Sequence, residues 1–125
     1  MLRAALQAVA VVLLSFLAGC LAVEVPPGIE PVTGFQAERY MGRWYEIARL
    51  ERGMEKVTAE YRLEPDGTVE VVNRGYRADA AKWQEARGKA RFLGAPEVAA
   101  LKVSFFGPFY GGYNVVDLDP GYQHA

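Results

Sequence analysis

From Lys56 to Leu63 the chain alternates polar and apolar residues without a fault, and this period of two limits the fold more tightly than any other feature. Val57, Ala59, Tyr61 and Leu63 fall on one side and Lys56, Thr58, Glu60 and Arg62 on the other, the pattern of a β-strand with one wet face. Pro65-Asp66-Gly67 then closes a hairpin, because Asp-Gly accepts the positive φ of a tight turn. The returning strand, Thr68 to Tyr76, sets Val69, Val71 and Asn73 against Glu70, Val72 and Arg74, which turns Val69 and Val71 inward. After a polar, alanine-rich loop over residues 77–82, Glu85 to Phe92 alternates again. Its wet face is wholly charged and its inner face is Ala86, Gly88, Ala90 and Phe92. Such small inward residues leave volume inside, which a filled sandwich core would not usually do.

Gly94-Ala95-Pro96 turns the chain into a fifth strand, where Leu101, Val103 and Phe105 alternate with Lys102 and Ser104. Gly107 to Gly112 reads as a turn dense in aromatics and glycine, and a sixth strand follows from Tyr113 to about Leu118. Upstream, Phe35 and Tyr40-Met41 bracket a polar run that reads as one helical turn. Gly42 lets the backbone swing from it into a first strand, Gly42 to Leu50, connected to the second by Glu51 to Glu55. The fold class is therefore all-β, with six strands at hairpin spacing forming an up-and-down antiparallel barrel or meander.

Residues 1–19 carry Arg3 and then an apolar run from Ala8 through Leu17, which reads as an export signal helix. That run is shorter than the roughly 20 residues a bilayer span needs. Leu17-Ala18-Gly19-Cys20 looks like a bacterial lipobox, in which the Cys thiol accepts diacylglycerol before cleavage. Leu21 rather than Asp follows Cys20, which by resemblance to the Gram-negative sorting pattern sends the protein to the outer membrane, facing the periplasm. Residues 20–33, with Pro26-Pro27-Gly28 and Pro31, have no apolar period and read as a tether. The organisation is thus a signal peptide over 1–19, a tether over 20–33 and one domain over 34–125.

Charge and cysteine usage exclude several classes. With 14 basic and 15 acidic residues there is no electrostatic footprint for nucleic acid. One cysteine pairs with nothing inside the chain, and one Cys with one His makes no zinc site of the usual composition, so neither disulfide scaffold nor metal is expected. No cofactor is expected either.

Four runs carry a resemblance to a known family. They are Gly42-Arg43-Trp44-Tyr45-Glu46-Ile47-Ala48-Arg49, then Glu55 to Ala59 with Tyr61, then Ala99 to Val115, and the tail Leu118-Asp119 with Tyr122 and His124-Ala125. In these the chain resembles the bacterial outer-membrane lipocalins, eight-stranded up-and-down barrels that hold an apolar ligand. The resemblance implies that Trp44 packs at the closed end of the barrel. It also implies that the inward Val57, Ala59, Tyr61, Val69, Val71, Ala86, Ala90, Leu101, Val103 and Phe105 line the ligand cavity above it. Fatty acids or lysophospholipids are the implied ligands, and envelope maintenance the implied role. Against the family pattern, the chain stops at Ala125 as a seventh strand should begin. The expectation is a C-terminally truncated barrel of about six strands of eight, with open edges on the first and sixth strands and a possible homodimer across them. The connection after Leu50 is also short for a family whose first loop covers the barrel mouth.

Catalysis is not expected. Some lipocalins are isomerases that use a cavity cysteine, but the sole thiol here, Cys20, lies outside the barrel and is taken by lipid. His124 sits at the chain end, Ser15 and Ser104 have no evident base near them, and Asp117 and Asp119 read as turn residues. The alternative to ligand carriage is a structural envelope lipoprotein, in which Lys82, Arg87, Lys89 and Arg91 meet anionic head groups, or a fragment that binds nothing.

Overall fold

The computed structural model describes residues 22–49 and 53–125. The stretch read as a signal peptide and Cys20 lie outside these residues, as do positions 50–52. One helical turn, α1 (Ala37–Tyr40), precedes six strands: β1 (Gly42–Tyr45), β2 (Glu55–Leu63), β3 (Val69–Arg77), β4 (Lys82–Phe92), β5 (Ala100–Phe106) and β6 (Phe109–Asn114). They form one sheet in chain order, every neighbour antiparallel. Among the described residues no ladder joins β6 back to β1, so the barrel wall is open along that line. Successive hairpins put the β1–β2, β3–β4 and β5–β6 connections at one end and the β2–β3 and β4–β5 turns, with α1, at the other.

Local chemistry places these elements where the alternation predicts. Gly42, at φ 103°, makes the corner between α1 and β1. In the β2–β3 turn Gly67 has φ 85°. There Asp66 Oδ1 accepts from the Thr68 N–H at 3.0 Å and its hydroxyl at 2.6 Å, which holds the Asp66 carboxyl below its usual range. The inner register aligns Leu63, Val69, Ala90 and Val103 across four strands, with Tyr61 beside Val71 and Leu101 beside Tyr113.

The core gathers at the α1 end. Phe35, Ala37, Tyr40, Ala99 and Val115 form one buried group and Val69, Val71, Ala90 and Leu101 another. Met41, Tyr61, Leu63, Phe92 and Tyr113 pack against both. Val32, in the stretch read as a tether, donates to the Val115 carbonyl at 2.8 Å and accepts from Ala99 N–H at 2.9 Å.

Three strands, β1, β4 and β6, depart most from the sequence reading. β1 ends at Tyr45 rather than Leu50, because β2 carries a bulge between Glu55 and Thr58 where Lys56 has φ 52°. Among the described residues one backbone bond, Glu46 N–H to the Val57 carbonyl at 3.0 Å, continues the pairing past β1. β4 begins at Lys82 rather than Glu85, and the expected loop shrinks to a tight hairpin at residues 78–81. The extra rungs are held by Trp83, whose ring lies 5.5 Å from Tyr76 and under the Arg74 guanidinium at 4.8 Å. β6 begins at Phe109 and ends at Asn114, not Tyr113 to Leu118. Only Gly107 and Pro108 turn the chain there, while Gly111 and Gly112 stay in the ladder opposite Val103 and Lys102. Glycine weakens a strand without breaking it.

Candidate apolar ligand site

The inner face of β2–β6 and α1 enclose an apolar chamber of about 80 Å³. Seven of the residues expected at a cavity line it: Tyr61, Val69, Val71, Ala90, Leu101, Val103 and Phe105. Val69, Val71 and Leu101 are buried because β2, β4 and β6 flank the strands that carry them.

Trp44, Val57, Ala59 and Ala86 do not line this chamber. Trp44 is half-buried, stacked on Tyr40 at 4.6 Å with its indole N–H donating to the Tyr40 carbonyl at 2.8 Å, and it borders the open line between β1 and β6. Ala59 pairs with Trp44 on one side and Asn73 on the other. Val57 and the exposed Ala86 line a separate shallow depression with Met54. The cause is register: the β4–β5 ladder begins only at Lys89, so the first half of β4 runs past β5 with its inner face uncovered.

The volume expected above Gly88 is occupied. A Cβ there would lie 2.6 Å from the Ser104 carbonyl oxygen and 2.7 Å from Phe105 Cδ1, so the Phe105 ring rests directly on the glycine. Gly88→Val should cost about 1–3 kcal/mol by overpacking, toward the upper end because the carbonyl is backbone and cannot swing away. Gly111→Ala, where nothing lies within 4 Å, should stay within about 0.5 kcal/mol in the same urea titration. Equal costs at the two positions would contradict the close approach.

Three phenols meet at the α1 end of the chamber. Tyr40 and Tyr113 hydroxyls lie 2.7 Å apart, and Tyr61 donates to the Tyr113 oxygen at 3.1 Å. Burial raises all three above the ordinary phenol value, Tyr113 furthest, since its neighbours Tyr61 and Tyr40 add to the desolvation. Three hydroxyl hydrogens share two bonds inside the cluster, so one O–H is left to donate outward. The same phenols also border the roughly 540 Å³ slot between β1 and β6. Tyr40 and Tyr113 were missed as site residues. Beginning β6 at Phe109 would have found Tyr113, because alternation from Gly111 opposite Val103 points it inward beside Leu101. Elsewhere, Asp119 accepts the backbone N–H groups of Gly121, Gln123 and His124, which makes it a turn residue as the sequence suggests.

A one-turn helix leading through glycine into an up-and-down antiparallel sheet, apolar inside and charged outside, makes an open calyx-type wall. Residues 35–125 match the Lipocalin-like domain family, and the chain belongs to the lipocalins. It is 57% identical over 110 residues to Outer membrane lipoprotein Blc of Escherichia coli K12, covering 85% of this chain and 62% of that protein. The Citrobacter freundii protein of the same name is 54% identical over 125 residues, covering 96% of this chain and 71% of the relative. Temperature-induced lipocalin-1 of Arabidopsis thaliana is 39% identical over 116 residues, 78% of this chain and 58% of that protein. Among solved structures, the cockroach major allergen Per a 4 superposes with a TM-score of 0.54 at 16% identity, over 78% of this chain and 59% of the allergen. That likeness carries the fold alone.

Proposed function

We propose that this chain binds a fatty acid or lysophospholipid at the bacterial outer membrane, held there by diacylglycerol on Cys20. The carrying observation is the continuous apolar inner surface at Val69, Val71, Ala90, Leu101 and Val103. Membership of a family of apolar-ligand binders and likeness to proteins named outer membrane lipoproteins support it. Contact of this kind gives affinity without chemistry, at about 0.8 kcal/mol for each buried methylene.

Magnitude sets a condition on the proposal. Small-molecule sites usually measure about 300–1,000 Å³, so a chamber of about 80 Å³ takes only a short piece of an acyl chain. The remainder fits if Phe105 swings off Gly88, or if the chain passes the phenols into the slot, where the spare hydroxyl meets a ligand oxygen. The small chamber favours a second reading, a structural lipoprotein whose interior is simply packed.

Titration of the full chain with a fluorescent fatty acid separates the two. Under the binding reading Phe105→Ala enlarges the chamber and tightens long-chain binding. Val71→Arg weakens it at least tenfold, about 1.4 kcal/mol. No uptake by the parent chain or by Phe105→Ala would leave the structural reading standing. Cys20→Ser should yield an unacylated precursor that retains its leader, and mass spectrometry of the parent should show diacylglycerol at the mature N-terminus. A free thiol at Cys20 in the mature protein would overturn the anchor.

A further inference from the structure

The β5–β6 hairpin presents an aromatic tip that packing does not explain. Phe106 and Phe109 face each other across the turn and are 80% and 69% exposed, with Pro108 exposed between them. Below them on the outer face lie Lys89 and then the directly opposed pair Arg91 and Lys102. Like charges set opposite one another cost stability, so the pair is not there to hold the sheet together. Among the described residues none of these three cations forms an ion pair, and β5 and β6 carry no acidic residue. Lys102 instead rests over the Tyr110 ring at 4.7 Å.

From this juxtaposition we infer that the β5–β6 tip docks on an anionic lipid surface, with Phe106 and Phe109 entering the acyl boundary and Lys89, Lys102 and Arg91 meeting head-group phosphates. The spacing fits. Lys89 pairs with Ser104, two residues below Phe106, or about 7 Å down the strand. That matches the depth of one head-group layer, about 5–8 Å on each side of the hydrocarbon. Lys102 and Arg91 stand two residues lower and reach up along their flexible stems, as such side chains do at interfaces. Apolar insertion backed by cations is the recognised physics of interfacial binding. The inference is independent of whether the chamber holds a ligand, because neither Phe106 nor Phe109 lines the chamber and the cations are on the outer face.

The test places an environment-sensitive fluorophore on Pro108→Cys in the full chain carrying Cys20→Ser, reconstituted in phosphatidylethanolamine vesicles with phosphatidylglycerol. Gly94→Cys, in the turn at the opposite end of the sheet, is the comparison. The expected result is a blue shift at residue 108 with loss of emission when the acyl chains are brominated, and a water-like spectrum at residue 94. Lys89→Glu with Lys102→Glu, or phosphatidylcholine vesicles, should reduce the quenching, and Phe106→Ala with Phe109→Ala should abolish it. A probe at 108 as water-exposed as that at 94 would overturn the inference. So would a blue shift that follows protein density and ignores bromination, since a second copy would then cover the tip. Quenching unchanged by charge reversal would remove the anionic partner.

Discussion

Phe35→Ala is expected to cost the fold about 3–5 kcal/mol, a large share of the 5–15 kcal/mol typical of whole domains. Phe35 is only 5% exposed and its ring meets Tyr40 at 5.2 Å, Tyr122 at 6.2 Å and Phe92 at 6.3 Å. It thereby ties α1 to the end of β4 and to the C-terminal turn. That turn is docked through other contacts as well: the Gln36 N–H donates to the Tyr122 hydroxyl at 2.9 Å, and Arg39 lies over the Tyr122 ring at 4.2 Å. Removing the ring leaves a cavity that these partners, fixed by their own bonds, cannot collapse into. In a domain of this size each kcal/mol moves the thermal midpoint by about 4–8 °C, so the loss should exceed about 12 °C. Phe106→Ala is the paired control, since an 80% exposed ring should change stability by no more than about 0.5 kcal/mol. Similar midpoints for the two variants would mean the core is not centred on α1.

How far the sequence foretold this depends on how local each determinant is. The inner faces of β2, β3 and β5 were legible because a strand's own alternation decides which side is wet, and Val69, Val71 and Leu101 are buried accordingly. Boundaries were less so, because they are set by partners distant in the chain. β1 ends where the bulge at Lys56 turns β2 aside, and β4 starts early because Trp83 finds Tyr76 and Arg74 across the hairpin. The candidate site shows the same division. Small residues at Ala86, Gly88 and Ala90 suggested internal room, but which side chain fills it depends on register, and Phe105 falls on Gly88. The phenol cluster draws on Tyr40, Tyr61 and Tyr113, from α1, β2 and β6, and no single stretch announces it.

That cluster should make the protein's stability fall as pH rises above about 10. Burial holds Tyr40, Tyr61 and Tyr113 above the ordinary phenol value of about 10, so the folded chain keeps protons that the unfolded chain sheds. Below that pH both states are protonated and these groups contribute no pH dependence. Above it the unfolded state binds fewer protons, and stability declines with pH. Tyr113 dominates because it is the hub, bonded to both other hydroxyls and raised furthest. Tyr113→Phe should therefore act twice. At neutral pH it strips the partner from two part-buried hydroxyls and costs about 1–3 kcal/mol, whereas Tyr40→Phe leaves the Tyr61 bond intact and costs nearer 1 kcal/mol. At alkaline pH the Tyr113→Phe variant lacks one titrating group, so its stability should fall less steeply than the parent's. Urea midpoints from pH 7 to about 11, read beside tyrosinate absorbance of the folded protein, measure both effects. Parallel pH profiles for parent and Tyr113→Phe, with Tyr40, Tyr61 and Tyr113 titrating near pH 10 in the folded state, would show that water reaches the cluster and that its hydrogen bonds contribute little.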